Sequence, residues 1–283
     1  MGAARLDQHA GAGPDGSDHP SACGDVQAAM PRRELFGVPF TPLTLDAAAE
    51  IIAERPSGLP FHYVVTPNSS DIVRMQREPE RLCPVWRGAF LCLLDSAIVQ
   101  LLAKGLGEDI PVAAGSDLTA RLFESGIVMP DEPLTVIGCR SAALDRLKAR
   151  YGLRHVLHHD PPMGFIDDAT AVARAIDFVV EARTRFVFLA IGGPQAQILA
   201  CKIRQDGRAI GLGFCIGASL NFLAGVQSRA PLWMRRSRLE WLFRTIQEPR
   251  RFGRRMLFDA LPILGVAARE GARRWRRTGA APQ

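Results

Sequence analysis

Six short apolar runs alternating with stretches of helical period constrain this chain more than any other feature. Rich in β-branched and aromatic residues, they cover 61–66, 90–94, 134–137, 155–158, 185–191 and 209–215. Between them, helix-like segments cover 45–54, 95–103, 115–124, 142–151, 167–183 and 195–205, and a turn at Pro67-Asn68-Ser69 opens a further helix. Strands without polar alternation, joined by helical crossovers, predict a mainly parallel sheet with helices on both faces. The expected fold class is therefore α/β, read as two Rossmann-like subdomains over 34–130 and 131–228 that meet near Pro130. A basic helical appendage follows over 229–283. Residues 1–33, rich in Ala, Gly, Pro, Asp and His, read as a disordered leader, and Met30 is an alternative start.

The formal net charge of +6 conceals an uneven distribution. From Arg229 onward there are 14 Arg, no Lys and four acids, a net of +10, whereas the first 228 residues carry 21 basic and 25 acidic groups, a net of −4. A mildly acidic body joined to a basic tail argues against a uniformly basic nucleic-acid module. Six scattered cysteines without a Cys-x-x-Cys pair suit reduced thiols, so a cytoplasmic setting is expected. The charge-free run 209–228 is long enough to span a bilayer. It contains four glycines, Asn221 and Gln227, however, and reads better as strand, turn and short helix. No transmembrane helix is expected.

In open α/β sheets the ligand lies beyond the carboxyl ends of the strands. Four polar turns are expected there: Thr66 to Asn68, Asp95-Ser96, Gly138-Cys139, and Gly192 to Gln197. The spacing required by a Gly-x-Gly-x-x-Gly dinucleotide loop is missing, and so is a Walker-type phosphate loop. His155, His158, His159 and Asp160 form a compact cluster, but adjacent histidines on a strand face opposite ways and do not readily share an ion. No two aspartates are separated by a single intervening residue, so the Asp-x-Asp arrangement that holds a divalent ion is missing. No metal and no cofactor is expected. Asp95 follows an apolar strand, where desolvation would suit a general base. The same position suits a helix N-cap, and spacing alone favours the cap.

The basic tail carries two apolar stripes at helical spacing, Leu239, Leu242, Phe243, Ile246 and then Phe252, Met256, Ala260, Ile263. Arg244, Arg251 and Arg254 share a face only if the helix continues through Pro249, which interrupts it. Arg-rich faces beside such stripes suit an interfacial helix on anionic lipid, or a solvated helix packed on the body. No aromatic stacking platform accompanies them, so nucleic acid is not the expected partner.

Several motifs stand in an order that resembles the WecG/TagA/CpsF family of bacterial glycosyltransferases, over about residues 35–264. The most specific stretch is Arg229-Ala230-Pro231, Leu239-Glu240-Trp241-Leu242, Arg244 and Gln247-Glu248-Pro249-Arg250-Arg251. Thr66-Pro67-Asn68, Gly115-Ser116-Asp117-Leu118 and Phe222-Leu223-Ala224-Gly225 belong to the same order. The resemblance implies an inverting hexosyltransferase of surface or exopolysaccharide biosynthesis. It would move a sugar from a UDP-sugar to a polyprenyl-diphosphate-linked acceptor, peripheral on the inner face of the cell membrane. By the same resemblance Asp95 is the catalytic base and Thr66 and Asn68 form the active-site turn. Arg244, Arg251 and Arg254 reach the diphosphate, whose charge guanidinium groups neutralise bidentately. Ser116, Asp117, Gly138, Gly192, Gln195, Gln197 and Asn221 complete the expected substrate-binding set.

Three positions depart from the family's pattern. Ser96 stands where Gly usually follows the aspartate, Ala196-Gln197 replace Gln-Glu, and Asn221 replaces Asp. Altered sugar specificity is the preferred account. The alternatives are a catalytically weak homologue that acts as a membrane-docked assembly partner, and an Arg-tailed nucleic-acid binder. Donor sugar and acceptor are not legible, and homo-oligomer formation stays open.

Overall fold

The computed structural model describes residues 30–226 and 261–278 of the chain. The stripe around Leu239 and all but Ile263 of the stripe around Phe252, together with Arg244, Arg251 and Arg254, lie outside the described residues. So does the expected leader, apart from its last few positions. Arg33 already belongs to a short antiparallel hairpin, β1 (Arg33–Leu35) and β2 (Val38–Phe40).

A six-stranded, wholly parallel sheet forms the centre: β3 (His62–Val65), β4 (Leu91–Cys92), β5 (Leu134–Gly138), β6 (Val156–His159), β7 (Phe186–Ala190) and β8 (Leu212–Cys215). Their spatial order is β4-β3-β8-β7-β5-β6. Strands from both sides of residue 130 share this sheet, because β8 pairs with β3 on one side and β7 on the other. The free edge of β4 is covered locally: the Thr41 amide donates to the Cys92 carbonyl at 2.8 Å, and the Cys92 amide donates to Thr41 Oγ1 at 3.1 Å.

The helices are α1 (Leu45–Glu54), α2 (Ser69–Arg77), α3 (Pro79–Arg87), α4 (Ala97–Gly105), α5 (Gly115–Glu124), α6 (Ser141–Tyr151), α7 (Ala169–Ala182), α8 (Gln195–Asp206), α9 (Ser219–Leu223) and α10 (Ile263–Thr278). As expected from their unbroken apolar character, β3, β5 and β8 are buried throughout, and β7 at all but its last residue. On one face Tyr63, Val65, Val187 and Leu189 pack with α2, α3, α7 and α8. On the other, Phe188 stacks on Phe214 with ring centroids 5.2 Å apart and meets Phe123 of α5 at 5.3 Å. α10 lies against α2 and α4 and buries Ile263, Val266 and Ala267. Its Arg274 reaches Glu108 Oε1 at 3.0 Å and Glu270 Oε1 at 3.2 Å.

All six strands run the same way, so their carboxyl ends share one edge. Within that edge, β5 leads through α6 outward to β6, while its neighbour β7 leads through α8 the other way to β8. Adjacent strands whose connections diverge make a topological switch point, where a crevice opens. The structure therefore places this crevice beside Gly138 and Gly192.

Candidate functional site

The site is built first around Asp95, at the carboxyl end of β4. The helix cap falls to its neighbour: Ser96 is the N-cap of α4, and its Oγ accepts from the Val99 amide at 3.3 Å. The expectation that spacing favours Asp95 as the cap is thus corrected. Both residue types cap well, and what decides is a distant contact that local spacing does not encode. The Asp95 Oδ2 atom accepts from the Gly115 amide, at the start of α5, at 3.2 Å. The Asp95 amide donates to the Pro67 carbonyl at 3.1 Å, which joins the β4 turn to the β3 turn.

Gly115 is required by close approach. A Cβ there would lie 2.5 Å from Thr66 Oγ1, closer than real Cβ atoms come. The Thr66 hydroxyl, the Asp95 carboxylate and the first turn of α5 therefore converge, with half-buried Ser116 and Asp117 following Gly115. A carboxylate has several lone-pair directions, so one backbone donor can orient it without exhausting its capacity to take a proton.

Asn68 has a structural task as well. It is the N-cap of α2, its Oδ1 accepting from Ser70 and Asp71 amides at 2.9 and 3.3 Å, while Asp71 Oδ2 accepts from the Asn68 amide at 3.1 Å. This reciprocal box holds the turn that carries Thr66. Three residues after Asp71, the same helix reaches across the edge: Arg74 donates to the Gly193 carbonyl at 3.0 Å. The Asn-x-x-Asp spacing of the box was a readable signal for Asp71, whereas nothing local announces Arg74.

The second group surrounds the switch point. Gly138 and Cys139 both have positive φ, and His158 Nε2 lies 2.9 and 3.0 Å from their carbonyl oxygens. Cys139 Sγ lies 3.8 Å from Asn221 Oδ1, so Asn221 belongs beside the β5 turn. Burial, with the Asp160 charge adding to it, pushes the Cys139 thiol upward in pKa. His159 turns elsewhere and packs on Phe178 with centroids 5.3 Å apart. The two histidines thus serve different neighbours. Gly192 is exposed in the turn after β7, and Gln195 and Gln197 occupy the first turn of α8. Thr66, Asn68, Asp95, Ser116 and Asp117 are gathered at the β4–β3 end of the edge. Gly138 and Asn221 gather near β5, and Arg74 links Gly193 to the first group.

Helix starts divide along the same line. α2 and α4 begin under side-chain caps from Asn68 and Ser96, and α5, whose N-cap Ala114 supplies none, has its first amide taken by Asp95, whereas α6 and α8 begin without a side-chain cap. Uncapped N-termini present backbone N–H groups and a positive dipole end, and so attract anions. One end of the edge offers a carboxylate and hydroxyl, and the other offers amide-rich helix starts.

Comparison with known proteins gives a consistent picture. The sequence profile described as the Glycosyl transferase WecG/TagA/CpsF family matches residues 33–277. The chain is similar to the N-acetylglucosaminyldiphosphoundecaprenol N-acetyl-beta-D-mannosaminyltransferase of Bacillus subtilis (strain 168), with 36% identity over 92 residues, 32% of this chain and 34% of that one. It is also similar to the protein of the same description from Staphylococcus aureus (strain MW2), with 31% identity over 125 residues, 43% of this chain and 44% of that one. The chain thus spans between a third and somewhat under half of the length of these curated relatives.

Proposed function

The chain belongs to the WecG/TagA/CpsF family of glycosyl transferases, and from that premise we propose that it moves a hexosyl group from a UDP-sugar to a polyprenyl-diphosphate-linked sugar. Asp95 takes the proton of the acceptor hydroxyl as that oxygen attacks the anomeric carbon. The bond to the UDP oxygen breaks on the opposite side, UDP leaves with the electron pair, and the configuration inverts. Thr66 orients the acceptor beside Asp95, and Asn68 holds the turn. The observation that carries this reading is the split along one edge between an oriented carboxylate and two uncapped helix starts. The diphosphate suits the N-termini of α6 and α8 beside Gly138 and Gly192. Arg244, Arg251 and Arg254 add the charge that a departing diphosphate requires.

The lipid-linked acceptor requires the enzyme to work at a membrane surface. No helix among the described residues is long and apolar enough to cross a bilayer. α10 instead carries exposed Arg269, Arg273 and Arg276 together with exposed Leu264 and Trp275, a pattern that suits peripheral docking on anionic lipid. Nucleotide sugars are made in the cytoplasm, which supports a site of action on the cytoplasmic face of the membrane.

The test is UDP release on incubation with UDP-sugars and a polyprenyl-diphosphate-linked N-acetylglucosamine. Acceptor-dependent release is expected. Absence of release across a panel of UDP-hexoses and UDP-N-acetylhexosamines would overturn the reading in favour of a non-catalytic assembly partner.

A further inference from the structure

Asp160 follows β6 directly and is exposed, and its carboxylate has no hydrogen-bond or ion-pair partner among the described residues. Its place is set by the sheet. β6 pairs with β5 in parallel register, Val136 opposite His158 and Ile137 opposite His159, so Asp160 comes level with Gly138 at the carboxyl edge. His158 ties the two strand ends together through its 2.9 and 3.0 Å approaches to the Gly138 and Cys139 carbonyl oxygens. The Asp160 charge is felt at Cys139, in the same turn. That turn is drawn toward β7 as well: a Cβ on Gly138 would lie 3.0 Å from the Ala190 carbonyl oxygen. Asp160 therefore stands beside the turn that opens the crevice, on the outer strand of the sheet, where no further strand crowds it.

A nucleotide sugar laid along this edge has its direction fixed by the chemistry. In the reaction proposed above the anomeric carbon faces Asp95 at the β4–β3 end, and the diphosphate sits at the starts of α6 and α8. The nucleoside is bonded to the far side of that diphosphate, so it is left the β5–β6 end. The first group it presents there is the ribose, with two vicinal hydroxyl donors. Doubly wound sheets that bind dinucleotides seat the pyrophosphate on one βα turn. A carboxylate at the end of the next strand, about 20 residues on, accepts from a ribose hydroxyl. Here β5, α6 and β6 are consecutive elements, β6 lies beside β5, and Asp160 follows Gly138 by about 20 residues. The Gly-x-Gly-x-x-Gly spacing is missing, but the carboxylate stands where a ribose needs it.

We infer that Asp160 is a donor-binding residue: its carboxylate accepts hydrogen bonds from the ribose hydroxyls of the UDP moiety, seated over the end of β6. This inference rests on the UDP-sugar reading and adds the group that holds the nucleoside and selects a ribonucleotide over a deoxyribonucleotide. An ionised carboxylate is an acceptor only, so it suits a diol that can donate twice. Hydrogen bonds to a charged acceptor are also the stronger kind, which offsets the repulsion between this carboxylate and the nearby diphosphate.

Calorimetric titration of the full chain with UDP, 2′-deoxy-UDP and 3′-deoxy-UDP tests this. The wild type is expected to bind UDP about 10- to 100-fold more tightly than at least one deoxy analogue, the worth of a hydrogen bond to a charged group. The analogue it rejects names the hydroxyl that Asp160 holds. Asp160→Ala is expected to bring the three ligands to within about threefold of one another, and Asp160→Asn, which keeps a neutral acceptor oxygen, to retain an intermediate preference. Relief of repulsion on removing the charge acts on all three ligands alike and cancels in the comparison. The position is exposed, so both variants are expected to keep the wild-type Tm. Equal affinity of the wild type for all three ligands, or a preference undiminished in Asp160→Ala, overturns the inference alone. A folded wild type that binds none of the three overturns the donor reading and this inference together.

Discussion

Gly115→Ala puts the contact between Thr66, Asp95 and α5 under direct strain. The new Cβ would sit 2.5 Å from Thr66 Oγ1, while Thr66 Cβ and Cγ2, at 3.4 and 3.5 Å, are tolerable neighbours. Only the hydroxyl conflicts, and relief needs a displacement of about half an ångström or more. Two responses are available. Thr66 can rotate and carry its hydroxyl away, or the start of α5 can retreat and stretch the 3.2 Å bond from Gly115 to Asp95 beyond useful length. Overpacking costs about 1–3 kcal/mol, and the smaller unfolded-state entropy of Ala returns about 0.4–1 kcal/mol. The net is a loss of about 0–2.5 kcal/mol, seen as a fall of a few degrees in Tm at ~2–4 °C per kcal/mol. Activity should suffer far more, because a sub-ångström to ångström misplacement of reacting groups costs up to about 100-fold in rate. Parallel measurement of UDP release and thermal unfolding separates the two. In the double variant Thr66→Ala/Gly115→Ala the clash is gone. Stability is then expected to recover relative to additivity by about 0.5–3 kcal/mol, with activity still low. Full activity in Gly115→Ala would refute the role of this contact in the chemistry. Strict additivity in the double variant would refute the contact itself.

Asp95→Asn keeps an oxygen for the Gly115 amide but removes the base, so UDP release should fall about 10²- to 10⁴-fold with little change in Tm; unchanged turnover would exclude Asp95 as the base. Asn68→Ala should cost about 0.5–2 kcal/mol in urea unfolding through loss of the α2 cap, whereas Asn68→Asp should retain most of it. Burial, helped by the Arg204 and Arg55 charges and opposed by the Pro60 carbonyl, holds the His62 pKa below its usual 6.5. The unfolded chain therefore binds the proton first. The His62 contribution to stability is intact above pH 6.5 and is lost as pH falls from there through the lowered folded value. Urea unfolding against pH should show that acid-side slope shrink in His62→Gln; an unchanged slope would refute the assignment.

Local chemistry made much of the fold readable. The limits of α1 and α5 were legible because Thr44 caps one, accepting from the Ala47 amide, and the Gly115-Ser116-Asp117 turn opens the other. By contrast, α3 contains Pro84, which argues against a helix on propensity, and tertiary burial of Leu82, Val85 and Trp86 outweighs it. The β1–β2 hairpin was hidden because Phe36 takes a positive φ that a bulky residue rarely adopts. The choice between Asp95 and Ser96 as cap was undecidable from spacing, since the Gly115 amide that claims Asp95 comes from a separate element. Strand order was illegible for the same reason: a uniformly apolar strand such as β8 does not record its neighbours.

The position of β8 also sets an order of assembly during synthesis. Until Leu212–Cys215 has left the ribosome, a nascent chain can form β4-β3 and β7-β5-β6 only as separate partial sheets, each with an open edge where β8 belongs. Pairing of His62 with Leu212 closes a very long loop, which is slow, and open edges are prone to association in the interval. The two ends of the carboxyl edge, one holding Asp95 and the other Gly138 and Gly192, are consequently joined in the same late event. An unfinished or truncated chain holds the Asp95 turn and the Gly138–Gly192 crevice on separate pieces, so the proposed site is not assembled until the sheet is whole.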